Sequence, residues 1–186
     1  MNPGITSKET ILQVCRKIAA EQGIAALSMR TVAKACGIAL GTLYNYYSDK
    51  DELLLATVES IWKDIFHADG SCKKSFAFPE YVDDLFDCVQ KGAAAYPNFL
   101  TAHSIAIAQS KKGEARSTME RYFDHMKAGM LAALRADPAV NPAAFSTVFT
   151  PSDLVDFVLD HILLLLVKEA ESCTALVELV RRVIYR

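Results

Sequence analysis

The sequence predicts an all-α fold of about nine helices, a small three-helix head followed by a larger helical body, and three features carry that prediction. Apolar side chains recur three and four positions apart in one segment after another, which is the spacing of a helix face. Capping residues stand at segment starts, most plainly Ser28 and the Thr150-Pro151 pair, and glycines such as Gly23 and Gly37 stand at segment ends. The composition, 52% hydrophobic and 23% charged with few glycines and prolines, is that of an ordinary globular chain rich in helix formers. At 186 residues the chain is long enough for one large or two small cores without disulfide or metal staples.

Taken in order, Thr6 or Ser7 caps a first helix whose buried stripe is Ile11, Leu12, Cys15, Ile18 and Ala19 and which Gly23 ends. Ile24 and Leu27 in the connection seal the base of the small head core. Ser28 caps a second helix with Met29, Val32, Ala33 and Cys36 on one face, stopped by Gly37, which supplies a left-handed exit at low cost. Ile38 folds back as a plug. A short third helix starts near Ala39 or Leu40, packing Leu43 and Tyr47 and leaving Thr42, Asn45 and Tyr46 on the opposite side. Asp49 and Glu52, three apart, cap a fourth helix that continues through Leu53, Leu54, Val58, Ile61, Trp62, Ile65 and Phe66. The division falls here, with residues 1–48 as head and 49–186 as body.

In the body the pattern breaks from His67 to Pro79, and a fifth helix runs from about Glu80 with Tyr81, Val82, Leu85, Phe86 and Val89 buried. A sixth carries Phe99, Leu100, His103, Ile105 and Ile107. Lys111-Lys112-Gly113 separates it from a seventh with Met119, Tyr122, Phe123, Met126, Met130, Leu131 and Leu134. Pro138 and Pro142 open a connection lasting to Phe149, of undetermined conformation. The eighth helix, started by Thr150-Pro151-Ser152-Asp153, holds Leu154, Val155, Phe157, Val158, Ile162 and the run Leu163 to Val167, so it is apolar over most of its circumference. A ninth, with Leu176, Leu179, Val180, Val183 and Ile184, is steadied by a Glu178 to Arg182 pair. A helix apolar all round is either central to its own domain or shared with a second chain; next to another amphipathic helix at this end of the chain, it is read as half of a four-helix dimer interface. The bland alternative is that both helices bury themselves within one chain.

Two helices joined at a glycine, with a hydroxyl, an amide and a phenol on the free face of the second, suit an element entering a DNA major groove. Hydroxyls and phenols reach phosphate oxygens, an amide pairs with an adenine edge, and a glycine at the helix start permits close approach. Lys50, at the head of the next helix, adds a cation where the amide dipoles also favour phosphate. The same spacing occurs in helical proteins that never touch DNA, so the residues themselves have to decide.

The string Gly41-Thr42-Leu43-Tyr44-Asn45-Tyr46-Tyr47, followed by Lys50-Asp51-Glu52-Leu53 and preceded by Met29-Arg30-Thr31-Val32-Ala33 and Gly37-Ile38, closely resembles the signature of the TetR family of bacterial transcriptional regulators. The resemblance covers the first third of the chain; the body agrees in length and helical character. It implies an all-helical homodimer, usually a repressor that binds a palindromic double-stranded operator and is released by a small-molecule effector, with a helix-turn-helix head and a ligand-sensing, dimerising body. It places DNA contacts on Arg30 and Thr31, on Leu40, Gly41, Thr42, Tyr44, Asn45 and Tyr46, and on Lys50. Two departures stand out: Ala39 occupies a cap position that is commonly serine, and Leu40 replaces a residue that is often polar, leaving contact with a thymine methyl there instead of a base hydrogen bond.

Charge supports this only mildly. Residues 1–50 hold six basic side chains against three acidic and sit at +3, while the remainder, 14 basic against 19 acidic, sits at −5. Five cysteines form no C-x-x-C pair and leave an odd one, against a secreted disulfide framework; Cys15 and Cys36 read as small core residues, and redox sensing by Cys72 or Cys88 stays open. Met1-Asn2-Pro3-Gly4 leads into the polar Thr6-Ser7-Lys8-Glu9 and the longest apolar run, Ile162 to Val167, is short of a membrane span, so a cytoplasmic location is expected.

Nothing points to catalysis: there is no phosphate-cradling glycine loop, no G-x-S-x-G and no H-E-x-x-H, and His67, His103, His125 and His161 stand singly without a metal-ligand partner on the same turn. No cofactor and no metal is expected. Trp62, Phe66, Phe86, Phe99, His103, Tyr122, Phe123, Met126 and Met130 fit an apolar cavity with a few polar handles, though each alone fits plain core equally well. The resemblance leads us to expect that cavity among helices four to seven. The rival readings are a helical small-molecule carrier or enzyme without DNA binding, and an adaptor that uses its last two helices on a different partner.

Overall fold

A computed structural model of the chain describes residues 7–67, 77–100 and 113–185. Among them the secondary structure is entirely helical, with eight α-helices and two single 3-10 turns. The expected sixth helix lies, after Phe99 and Leu100, on residues outside the described ones.

The described residues fall into two compact units. The first comprises residues 1–68 and 92–119. Its opening helix α1 (Lys8–Gln22) is capped by Ser7, whose hydroxyl accepts from the Thr10 amide at 3.1 Å, and it buries Ile11, Cys15, Ile18 and Ala19 as the stripe required. Gly23 leaves the helix at φ 80°, its amide returning to the Ala19 carbonyl, and a 3-10 turn (Ile24–Ala26) brings Ile24 and Leu27 into the core. Helices α2 (Met29–Cys36) and α3 (Leu40–Tyr44) follow, then α4 (Lys50–His67).

Helix α4 buries Leu53, Val58, Ile61, Trp62 and Ile65. It also buries Thr57, whose hydroxyl donates to the Leu53 carbonyl at 2.8 Å, and Ser60, which receives the Arg16 guanidinium from α1. A second arm of Arg16 reaches Glu9 at 3.3 Å. Past α4 in the same unit, the Tyr96 hydroxyl donates to Asp64 at 2.7 Å and Phe99 meets Trp62 edge-on at 5.4 Å. Gly92 lies so close to α4 that an added Cβ would sit 2.7 Å from Ile65 Cγ2 and 3.0 Å from Ile65 Cα, so only glycine fits without displacing backbone. Burial pushes the Cys15 thiol up to about 11, a bond with Thr57 opposing, and Cys15 sits in the core, whereas Cys36 is only half-buried, its thiol raised by that burial.

The second unit comprises residues 69–91 and 120–186. Helix α5 (Phe78–Ala93) begins two residues before the expected Glu80, with Pro79 in its first turn. The reason is a remote partner: the Phe78 amide donates to the Asp137 carboxylate at 2.8 Å, satisfying a helix-start group that no local residue serves. Asp137, 5% exposed, also accepts from the Ala139 amide at 2.9 Å and the Tyr185 hydroxyl at 2.5 Å. Burial alone would raise its carboxyl, but the bonds from Tyr185, Phe78 and Ala139 outweigh it and the net displacement is downward.

Helix α6 (Gly113–Ala136), the expected seventh, buries Met126, Met130 and Leu134. The connection after it takes a 3-10 turn (Pro142–Ala144) with the Asn141 amide bonded to the Ile184 carbonyl at 2.7 Å.

Helix α7 (Pro151–Val167), the expected eighth, has the start foreseen: Thr150 and Asp153 form a reciprocal capping box with proline in the first turn. It buries Leu154, Val155, Val158, Leu159, Ile162 and Leu166 on one side, and leaves Phe157, Leu164 and Val167 exposed on the other. Helix α8 (Thr174–Ile184) buries Leu176, Val180 and Ile184, exposes Leu179, and carries the Glu178–Arg182 pair at 2.7 Å. Cys173 is buried and donates to Asp83 at 3.3 Å. Cys88 is disulfide-bonded, and Cys72 lies outside the described residues. No helix of the described residues is long and apolar enough to cross a membrane, and no group of three or more metal-ligating side chains occurs among them.

Candidate nucleic-acid interface

The two helices that frame the candidate surface begin in opposite ways. Helix α2 starts with a full capping box: Ser28 Oγ accepts from the Thr31 amide at 3.1 Å, while Thr31 Oγ1 accepts from the Ser28 amide at 2.9 Å. The Thr31 hydroxyl also lies within hydrogen-bond distance of the Ala26 and Ser28 carbonyls, at 3.1 and 3.0 Å, and of the Ser28 hydroxyl at 3.0 Å. Met29, Val32 and Ala33 are buried, and Arg30, Thr31 and Lys34 form the exposed side. Gly37 takes the left-handed conformation (φ 66°, ψ 27°) and its amide closes on Lys34 and Ala33, while the Ile38 amide reaches back to the Ala33 carbonyl at 3.1 Å.

Helix α3 has no side-chain cap. Ala39 holds extended cap geometry, and its carbonyl accepts from the Thr42 and Leu43 amides, but it has no oxygen to return to the first amides. What fixes the helix is tertiary: Leu43 is fully buried and Tyr47 is 2% exposed. The Tyr47 hydroxyl has no hydrogen-bond partner among the described residues, burial pushes it up to about 12, and Lys8 Nζ stands 5.4 Å from the ring centre. On the outer side Gly41, Tyr44 and Asn45 are exposed, with Leu40, Thr42 and Tyr46 partly covered. Lys50 is exposed at the first position of α4.

The turn between α3 and α4 is held by two carboxylates. Asp49 accepts from the Glu52 amide at 2.8 Å, and Glu52 accepts from the Ser48 amide at 2.6 Å, one residue earlier than a strict capping box would place it. That backbone bond from Ser48 is the main reason the Glu52 carboxyl is held below its ordinary value.

The residues expected to line a ligand cavity are distributed over both units. Trp62 and Phe99 are buried and in contact in the first. Phe86 and Met126 are buried and Phe123 half-buried in the second, where Met130 is fully enclosed. His103 lies outside the described residues, as do the side chains of Phe66 and Tyr122.

Comparison with known proteins bears on the head first. Residues 11–57 match the family model of bacterial regulatory proteins, tetR family. An HTH-type transcriptional regulator of Staphylococcus aureus (strain bovine RF122 / ET3-1) is 33% identical over 55 residues, 30% of this chain and 30% of that one. The chain therefore aligns with less than a third of that relative's length. Over the whole fold, the structure of BioQ with its double-stranded DNA operator superposes with a TM-score of 0.65 at 19% identity, covering 96% of this chain and 98% of that one. The fatty acid degradation regulator FadR of Bacillus halodurans gives 0.64 at 17% identity, covering 94% and 92%. At such identities the superpositions speak for the fold alone. The family model lies on the residues that build α1 to α3 and the start of α4, so it is the head of this chain that is similar to the tetR family of bacterial regulatory proteins.

Proposed function

We propose that the protein is a cytoplasmic transcriptional regulator, most simply a repressor, that binds a palindromic DNA operator as a homodimer and leaves it when a small molecule occupies the body. Gly41 is the observation that carries this reading. It lies inside α3 with ordinary helical backbone, and an added Cβ there would meet nothing within 4 Å. Glycine in a helix costs about 0.8–1.0 kcal/mol relative to alanine, so the fold gains nothing from it. The requirement comes from outside, from a surface that must approach the helix backbone closely, as a duplex does.

Around Gly41, the Tyr44 and Tyr46 phenols and the Thr42 hydroxyl reach phosphates or base edges. Asn45 is suited to an adenine, Leu40 to a thymine methyl, and Arg30 and Lys50 flank the groove. Residues 1–48 act as the reading head and 49–186 as the sensing and pairing body. Phe157, Leu164 and Val167 on α7 with Leu179 on α8 offer the apolar face for the second copy. The dimer sets two α3 helices in successive major grooves, roughly 34–36 Å apart. An effector held in the body shifts the balance between head spacings to the extent that it binds one better than the other.

Gly41→Ala tests the reading. The variant keeps or raises the melting temperature and loses duplex affinity at least tenfold in an anisotropy titration. Parental affinity from a folded variant would refute the contact face. Sedimentation of the purified chain at micromolar concentration gives a dimer on this reading, and a lone monomer would remove the pairing half of it.

A further inference from the structure

The helix-turn-helix carries three basic side chains, Arg30, Lys34 and Lys50, all exposed, and none has an ion-pair partner among the described residues. Elsewhere several cations are engaged: Arg16 with Glu9, Lys17 with Glu21, Lys91 with Asp87, Lys127 with Asp156, and Arg181 with Glu80. Lys34 is absent from the contact set that the sequence suggests. It stands one turn after Arg30 on the same exposed side of α2, about 6 Å further along the axis.

Thr31, which is in that set, is exposed, but its hydroxyl is engaged by its own helix start. Its oxygen accepts from the Ser28 amide and lies within donating distance of the Ala26 and Ser28 carbonyls and of the Ser28 hydroxyl, so its single proton has partners within the chain and what is left for a phosphate is acceptor capacity, which a phosphate does not bind. We propose that on α2 the phosphate backbone is held by Arg30 and Lys34 together, a two-cation rail one turn long, and that Thr31 serves only to cap the helix that presents them. The inference rests on the DNA-binding reading above and narrows it to a residue.

Phosphate contacts are blind to sequence, so the test needs no operator. Binding of the full-length protein to a 30-base-pair duplex of arbitrary sequence is measured over a range of salt, and the slope of log affinity against log salt is compared among variants. Lys34→Gln flattens the slope by about 0.9 per head with its melting temperature kept. Thr31→Val melts earlier but keeps the parental slope. Lys91→Gln, whose lysine is paired in the other compact unit, leaves both as they were.

A parental slope for Lys34→Gln overturns the proposal. So does an equal flattening by Lys91→Gln, which would mean a general charge effect, and so does a flattened slope for Thr31→Val. If the parent binds no duplex at any salt, the DNA reading itself falls and takes the rail with it; in the other three failures that reading stands.

Discussion

Helices α2 and α3 are neighbours on one surface and are secured by different means. Helix α2 is locally self-sufficient: a reciprocal cap at Ser28 and Thr31, a left-handed glycine at its end, and three buried apolar side chains between. Helix α3 is five residues long, uncapped at Ala39 and interrupted by a glycine, and it keeps its shape because Leu43 and Tyr47 are anchored in the core. An isolated helix that short is unstable in water. The difference teaches that a short helix can do without local stabilisers when packing holds its back.

The largest effect should come from cutting the anchor. Leu43→Ala removes a fully buried side chain and should cost about 2–5 kcal/mol, visible as a lowered melting temperature, whereas a surface change on α2 should cost little. A loss below about 1 kcal/mol would mean that α3 is held by something else.

Next comes the flaw in the same anchor. Tyr47→Phe removes a buried hydroxyl that has no partner among the described residues and should raise stability by roughly 1–3 kcal/mol in denaturant unfolding; a loss instead would show that the hydroxyl is satisfied in solution.

Ala39→Ser should narrow the difference between the two helices by giving α3 the cap it lacks. The gain expected is about 1 kcal/mol, with the serine hydroxyl accepting from an amide of the first turn.

The smallest effect is electrostatic. Glu52 is held low mainly by the Ser48 amide, so its contribution is fully present above the ordinary carboxyl range, about 4.3, and fades as pH falls through the folded value. Amide exchange at Ser48 should quicken in acid for the parent and be fast at all pH in Glu52→Gln.

The sequence disclosed what is decided locally. The caps at Ser7, Ser28 and Thr150, the exit at Gly37 and the Glu178–Arg182 pair all depend on residues within a turn of each other, and the structure has each of them; the spacing of Leu43 and Tyr47 marks them for burial, and the packing that buries them is tertiary. It concealed what is decided at a distance. The start of α5 at Phe78 depends on a carboxylate 59 positions away. Helix α7 reads as apolar nearly all round, yet one side is packed and the other open, a distinction made only by the neighbours it meets. In the head, the spacing of Ser28 and Thr31 shows that both hydroxyls are near a helix start, but not that the Thr31 hydroxyl also has the Ala26 carbonyl, five residues back, as a partner. Lys34 went unassigned for the related reason that an unpaired cation is recognised only once its surroundings are known.

The bare backbone at Gly92 has a mechanical consequence. Where two helices touch through side chains, each contact has some slack, but Ile65 rests against a residue with none, which makes that crossing a fulcrum. From Ile65 to Lys50 is 15 residues, an arm of about 22 Å, so a tilt of about 5° at the fulcrum carries the far end by about 2 Å. A methyl group added at Gly92 would load that pivot and skew the arm, altering the reach of a head whose own residues had not been changed.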